Sequence, residues 1–245
     1  IEEAHFFFFI SNLLFYINGE GNKVVVYNLA NKQKKTIINA EGLRSKVSWG
    51  NDCNSIIYAY KEQYKSMFKK VYIDGRKPAE NLDFPDLTSV ASLAYSDSLF
   101  FLDKNTLQIK AKHKDKVWSI SNDNNRYYNV LVSPNGNYLA ANEGTDIVVF
   151  KLSDNSKINL GKGIHTAWHP TKNYLLGYLD ESENGHTISG SDIYLYSVDN
   201  KNIMKVTESK DLYEANPKFI DENTISFTDL NHTGLYLLNI STFIK

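Results

Sequence analysis

Runs of alternating apolar and polar residues, each bounded by Asn, Asp or Gly, recur along the whole chain, and helical periodicity is almost absent. The pattern predicts a chain that is nearly all β. Several runs align on one template: a strand ending in an aromatic or aliphatic anchor, a short polar turn, an apolar strand, a loop, a third strand, and a polar turn into a fourth. The clearest copies join residues 130–141 to 146–152, 166–177 to 192–198, and 217–228 to 234–240. Earlier copies join 47–58 to 70–75 and 6–16 to 23–28, with another starting at 90–101. The anchors fall at Phe9, Trp49, Leu93, Val132, Trp168 and Phe219, at intervals of 40, 44, 39, 36 and 51 residues. The last interval is long because a polar insertion, residues 180–191, lies between the second and third strands of the fifth copy.

A period of about forty residues carrying four short strands is the repeat length of a β-propeller blade. Six such repeats account for the 245 residues. A lone blade cannot bury both faces of its sheet, so neighbours must stack and supply each other's core. The expected architecture is therefore all-β: a six-bladed β-propeller of four-stranded antiparallel blades, forming a single domain over residues 1–245. Two places resist the template. Tyr60, Tyr64, Met67, Phe68 and Val71 have spacings compatible with one face of a short helix. Residues 242–245 barely make a fourth strand, so residues 1–6 are expected to complete the last blade and remove an open sheet edge.

Composition supports this reading and excludes several functions. Asn, Asp and Gly make up nearly a quarter of the chain, and they favour tight turns because they tolerate positive φ or bond their own backbone. The formal net charge of −1 leaves no electrostatic footprint for nucleic acid. The apolar run at 5–17 is shorter than the ~20 residues of a spanning helix and is broken by Ser11 and Asn12, so the chain is not expected to be transmembrane. It also lacks the features of an export signal, which is expected to have been removed. Cys53 is a lone cysteine with no metal-type spacing. Near-neutral charge and absent heptads make a monomer the expected state.

The segment Ser133-Pro134-Asn135-Gly136 before Tyr138 resembles the Ser-Pro-Asp-Gly turn of TolB-type, WD-like propeller repeats. Trp168-His169-Pro170 and Asn216-Pro217-Lys218-Phe219 are variants of the same corner, and Asp192-Ile193-Tyr194 and Gly234-Leu235-Tyr236 match the strand that closes the repeat. The resemblance covers all six repeats and is strongest from Val130 onward. It implies a bacterial periplasmic or secreted binding protein that docks a protein partner. Within these residues there is no room for the family's additional α/β domain, and Asn135 replaces the usual Asp. Those departures count against the Tol-system role while leaving the propeller intact.

Candidate chemistry is sparse. No G-x-S-x-G nucleophile elbow occurs, so a gating propeller of a prolyl-oligopeptidase-type peptidase would need its catalytic part elsewhere. Asp180, Glu181, Glu183, His186 and Asp192 form the densest set of acid–base side chains. Oxygen ligands of this type suit Ca²⁺, through Asp180, Glu183 and Asp192, if the loop folds back on itself. The competing reading is a solvated loop with Asp192 capping a turn. His165 and His169, four apart around an innermost strand, could both face a central channel, or could be hydrogen-bonded at the strand-to-turn corner. No other cofactor is implied. The expected function is a non-catalytic protein-binding or scaffold propeller of the cell envelope. The competing class is an enzyme part: the peptidase gate, or a hydrolase or lyase with its site in the channel.

Overall fold

In the computed structural model the described residues are 4–10, 13–18, 22–28, 30–40, 47–49, 55–62, 65–82, 87–93, 98–103, 105–182, 187–230 and 234–244. The chain divides into two compact units, Ile1–Asn124 and Asn125–Lys245. Among the described residues every regular element is a strand, and no helix is long and apolar enough to cross a membrane.

The first unit holds three antiparallel meanders of four strands. They are β1 (Ala4–Ile10) to β4 (Lys34–Asn39) through β2 (Leu13–Asn18) and β3 (Lys23–Asn28); β5 (Val47–Trp49), β6 (Ser55–Glu62), β7 (Lys65–Tyr72) and β8 (Glu80–Leu82); and β9 (Leu87–Leu93), β10 (Ser98–Asp103), β11 (Ile109–His113) and β12 (Lys116–Ser119). The second unit repeats the plan with β13 (Tyr127–Val132), β14 (Tyr138–Glu143), β15 (Asp146–Lys151) and β16 (Lys157–Lys162). β17 (Ile164–Trp168), β18 (Tyr174–Glu181), β19 (Gly190–Ser197) and β20 (Ile203–Lys205) follow. Among the described residues the last sheet has three strands: β21 (Glu214–Phe219), β22 (Thr224–Asp229) and β23 (Leu235–Asn239). All six anchors lie near the end of the first strand of a sheet, which is where the repeat placed them.

Two expectations are corrected. Tyr60, Met67, Phe68 and Val71 lie on the β6–β7 hairpin, where Tyr60 pairs with Met67 and Ile56 with Val71. The strand pleat sets their faces, so adjacent Met67 and Phe68 point to opposite sides of the sheet and the five residues share no single face; Tyr64 lies outside the described residues. Ala4 and Phe6 pair with Asn18 and Ile17 in the first sheet, so among the described residues the N-terminal strand belongs to that sheet.

Adjacent sheets bury both faces of their inner strands. Leu175 packs with Ala140, Ile147, Val149 and Trp168, whereas its neighbour Leu176 packs with Phe219, Ile225 and Phe227. Successive strand residues point to opposite faces, so one strand feeds two cores. That double burial explains why β14, β15 and β19 carry continuous apolar runs and not strict alternation.

Candidate functional site

The corner after the first strand of the fourth sheet is built from the turn chemistry of the repeat. Gly136 has φ 69°, and its N–H donates to the Ser133 carbonyl at 2.9 Å. Ser133 Oγ accepts from the Tyr138 N–H at 2.9 Å and donates to Asn135 Oδ1 at 2.7 Å. His169 occupies the corresponding corner of the next sheet. Its Nδ1 accepts from the Thr171 and Lys172 N–H groups at 3.1 and 3.0 Å, which leaves Nε2 to donate to the Glu222 carbonyl at 2.9 Å. Burial holds its pKa below the ordinary value. With both nitrogens occupied, His169 is a corner cap, and the channel pair with His165 is not assembled.

His165 lies on β17, fully buried, and neither ring nitrogen has a partner in hydrogen-bonding geometry. Burial pushes its pKa down to about 3, the nearby Lys218 ammonium adds to the effect, and the Asn129 backbone carbonyl opposes it. The cause of this crowding is a set of bulges in the first strands of the three sheets of the second unit. Register shifts fall between Tyr128 and Leu131, His165 and Ala167, and Ala215 and Lys218. A bulge leaves carbonyls without a ladder partner, and buried carbonyls need donors. The Asn129 side chain, at φ 53°, donates to the His165 carbonyl at 2.7 Å, and Lys218 Nζ donates to the Thr166 carbonyl. Thr166 Oγ1 in turn donates to the Pro217 carbonyl. Burial alone lowers the Lys218 pKa to about 8.

At the end of the same unit three buried carboxylates gather. Glu214 pairs with Asp229 across β21 and β22, and Ser191 bridges to Tyr213, which brings Asp192 alongside. Ser191 Oγ donates to the Glu214 carbonyl at 2.6 Å, and Asp229 Oδ1 accepts from the Tyr213 N–H at 3.1 Å. Asp192 Oδ2 pairs with Lys205 Nζ at 2.8 Å. Asp192 Oδ1 and Glu214 Oε2 have no partner. The Glu214 pKa is raised, first by burial and then by the charges of Asp192 and Asp229, against the Ser209 hydrogen bond.

Both ends of the polar insertion are strand. β18 and β19 extend the hairpin so that Leu179 pairs with Asp192, Asp180 with Ser191 and Glu181 with Gly190. Cross-strand partners share a face and successive residues alternate, so Asp192 and Glu181 lie on one face and Asp180 on the other. Asp180 and Asp192 therefore do not form one calcium cradle, and Asp192 already carries Lys205. Glu183 and His186 lie outside the described residues. Among the described residues no three His, Cys, Asp or Glu side chains gather in a group able to hold a metal ion.

The repeat pattern alone did not single out Lys218, Glu214 or Asn129. For Lys218 the signal was available: aligned on the anchors, it stands where the preceding sheets place Leu131 and Ala167.

The strand order, the meander repeat and the bulged first strands define a β-propeller. Solved structures give the type. TolB from Acinetobacter baumannii superposes with a TM-score of 0.69 at 14% identity, covering 89% of this chain. A protein assigned as TolB from Agrobacterium tumefaciens gives 0.66 at 13%, covering 89% of this chain and 85% of its own. Oligogalacturonate lyase from Vibrio parahaemolyticus gives 0.64 at 12%, covering 96% and 76%. The fold is a TolB-like six-bladed β-propeller. The chain spans 57% of the length of the Acinetobacter protein. No protein-family model and no curated protein matches the chain.

Proposed function

We propose that the chain is a non-catalytic protein-binding or scaffold propeller of the bacterial cell envelope, acting as a monomer in the periplasm or at the cell surface. The observation that carries this reading is the acidic end of the second unit. Asp192 Oδ1 and Glu214 Oε2 are buried carboxylate oxygens without partners, beside an extended β18–β19 hairpin on which Glu181 is exposed. The exposed Glu181 carboxylate favours a cationic partner group, because a lysine or arginine side chain pairs with it through a charge-assisted hydrogen bond. Likeness in fold to TolB supports the envelope setting. Cross-linking the tagged protein in intact envelopes, followed by affinity capture, tests it. Recovery of a protein cross-linked through the β18–β19 hairpin is expected, and recovery of no envelope protein overturns the reading.

A second reading, a lyase or hydrolase with its site on the first strands, is favoured by one observation. Lys218, on a bulged first strand, has its pKa lowered by burial to about 8, which is how a lysine general base near neutral pH is made. Likeness in fold to oligogalacturonate lyase accords with it. Turnover of unsaturated-product-forming polyuronate substrates that is lost in Lys218→Met would favour it over the scaffold.

A further inference from the structure

Two of the three tryptophans, Trp49 and Trp168, stand at the anchor position that ends a first strand. The third does not. Trp118 lies on β12, the outermost strand of the third sheet, and is half-buried there. Trp168 is held by stacking on Tyr138 and by its bond to the Leu131 carbonyl. Among the described residues no ring or cation stacks on the Trp118 indole, and no acceptor meets its N–H. A tryptophan N–H shut away from water usually finds a partner, so a half-buried indole with none is suited to meeting a ligand.

Strand register gathers polar groups beside it. Trp118 pairs with Ala111, which is too small to cover the indole. Lys116 pairs with His113, and His113 pairs with Ser98 on β10. The tight turn between β11 and β12, with Lys114 at φ 51°, fixes that register. Cross-strand partners share a face, as do alternate residues of one strand, so Ser98, His113, Lys116 and Trp118 all face the same way. Together they line a hollow of about 520 Å³. Neighbouring strands lie about 4.8 Å apart, so the row Ser98–His113–Lys116 spans roughly 10 Å, the length of one sugar ring with its substituents. Ser98 Oγ lies 3.4 Å from His113 Nδ1, whereas Lys116 is exposed and has no ion-pair partner among the described residues.

We propose that this hollow binds a sugar ring carrying one carboxylate. The indole offers a flat apolar surface for the C–H face of the ring. Lys116 pairs with the carboxylate through a charge-assisted hydrogen bond, and no carboxylate among the described lining residues competes with it. A hydroxyl and an imidazole can each donate and accept, so Ser98 and His113, side by side, match two adjacent sugar hydroxyls, which do the same. The lining also argues against other anions. A phosphate group calls for a fork of donors or a nest of backbone N–H groups, and one ammonium matches a single negative charge. An aromatic acid leaves Ser98 and His113 without hydroxyls to meet. The site lies within the first unit and uses no residue of the acidic cluster or of the Lys218 strand, so it stands apart from both functional readings above.

The test titrates glucuronate into the isotope-labelled protein and follows the three indole N–H signals by NMR, with glucose, benzoate and glucose 6-phosphate as controls. Trp118→Phe identifies the Trp118 signal by its loss. Glucuronate should shift that signal saturably and bind about tenfold more tightly than glucose, the difference expected of one charge-assisted contact. Lys116→Met should bring glucuronate down to the affinity of glucose and leave the melting temperature unchanged, since the side chain is exposed. No shift at Trp118 overturns the proposal, and equal affinity for glucose overturns the role of Lys116. Benzoate binding as tightly as glucuronate overturns the sugar, and tighter binding of glucose 6-phosphate overturns the carboxylate. Should either variant fail to fold, the backbone amides of 98 and 111–118 in the unmodified protein decide the matter: shifts confined to them support the site, and shifts elsewhere alone refute it.

Discussion

Replacing His165 with Leu should remove a specific acid sensitivity from the protein. The imidazole is buried with both nitrogens unpartnered, and its pKa is about 3 in the folded state. In the unfolded chain the value returns to roughly 6.5. Between those values the unfolded chain binds a proton that the folded protein refuses. The folded pKa is depressed, so the stabilisation is fully present above about pH 6.5 and is lost as pH falls towards 3. Linkage gives a loss of about 1.4 kcal/mol per pH unit in that window, or about 2 kcal/mol between pH 8 and pH 5. His165→Leu has no such group. At pH 8 the exchange should be close to neutral, because an apolar side chain of similar volume replaces a ring whose polar atoms make no bonds.

The assay is urea unfolding followed by tryptophan fluorescence, for both proteins at pH 8 and pH 5. Carboxylates such as Glu214 titrate in both proteins and cancel in the double difference. An advantage for His165→Leu at pH 5 of about 2 kcal/mol over its value at pH 8 is expected. A double difference below about 0.5 kcal/mol would refute the reasoning, because the ring would then have to be hydrated or charged in the folded state.

Trp168→Ala removes a buried anchor that stacks on Tyr138 and whose indole N–H donates to the Leu131 carbonyl at 3.0 Å. A loss of about 3–5 kcal/mol at pH 8 is expected from the cavity and lost burial, and a loss under ~1 kcal/mol in the same urea assay would contradict the packing between the fourth and fifth sheets. Chelation with EDTA should leave the melting temperature unchanged, since Asp180 and Asp192 lie on opposite faces of their hairpin. A calcium-dependent rise would show that residues beyond the described set complete a site.

Much of the architecture was legible because turns and anchors are local. Ser133, Pro134, Asn135 and Gly136 specify a corner whatever packs around it, and a Trp or Phe at a fixed distance before the corner marks the end of a first strand. Linear spacing does not carry the faces of the calcium set: the hairpin register puts Asp180 and Asp192 on alternate faces, and Glu183 and His186 lie outside the described residues. His165 and His169 were four apart on the chain, yet a bulge and a corner gave them separate environments.

The sequence by itself determined the repeat, its strand order and the chemistry of its corners, because each depends on residues within one turn or one pleat of each other. Tertiary structure decided which polar groups lose water and which find partners. Lys218 reaches the Thr166 carbonyl from a strand 52 residues away, and Glu214 meets Asp192 only because Ser191 bridges to Tyr213.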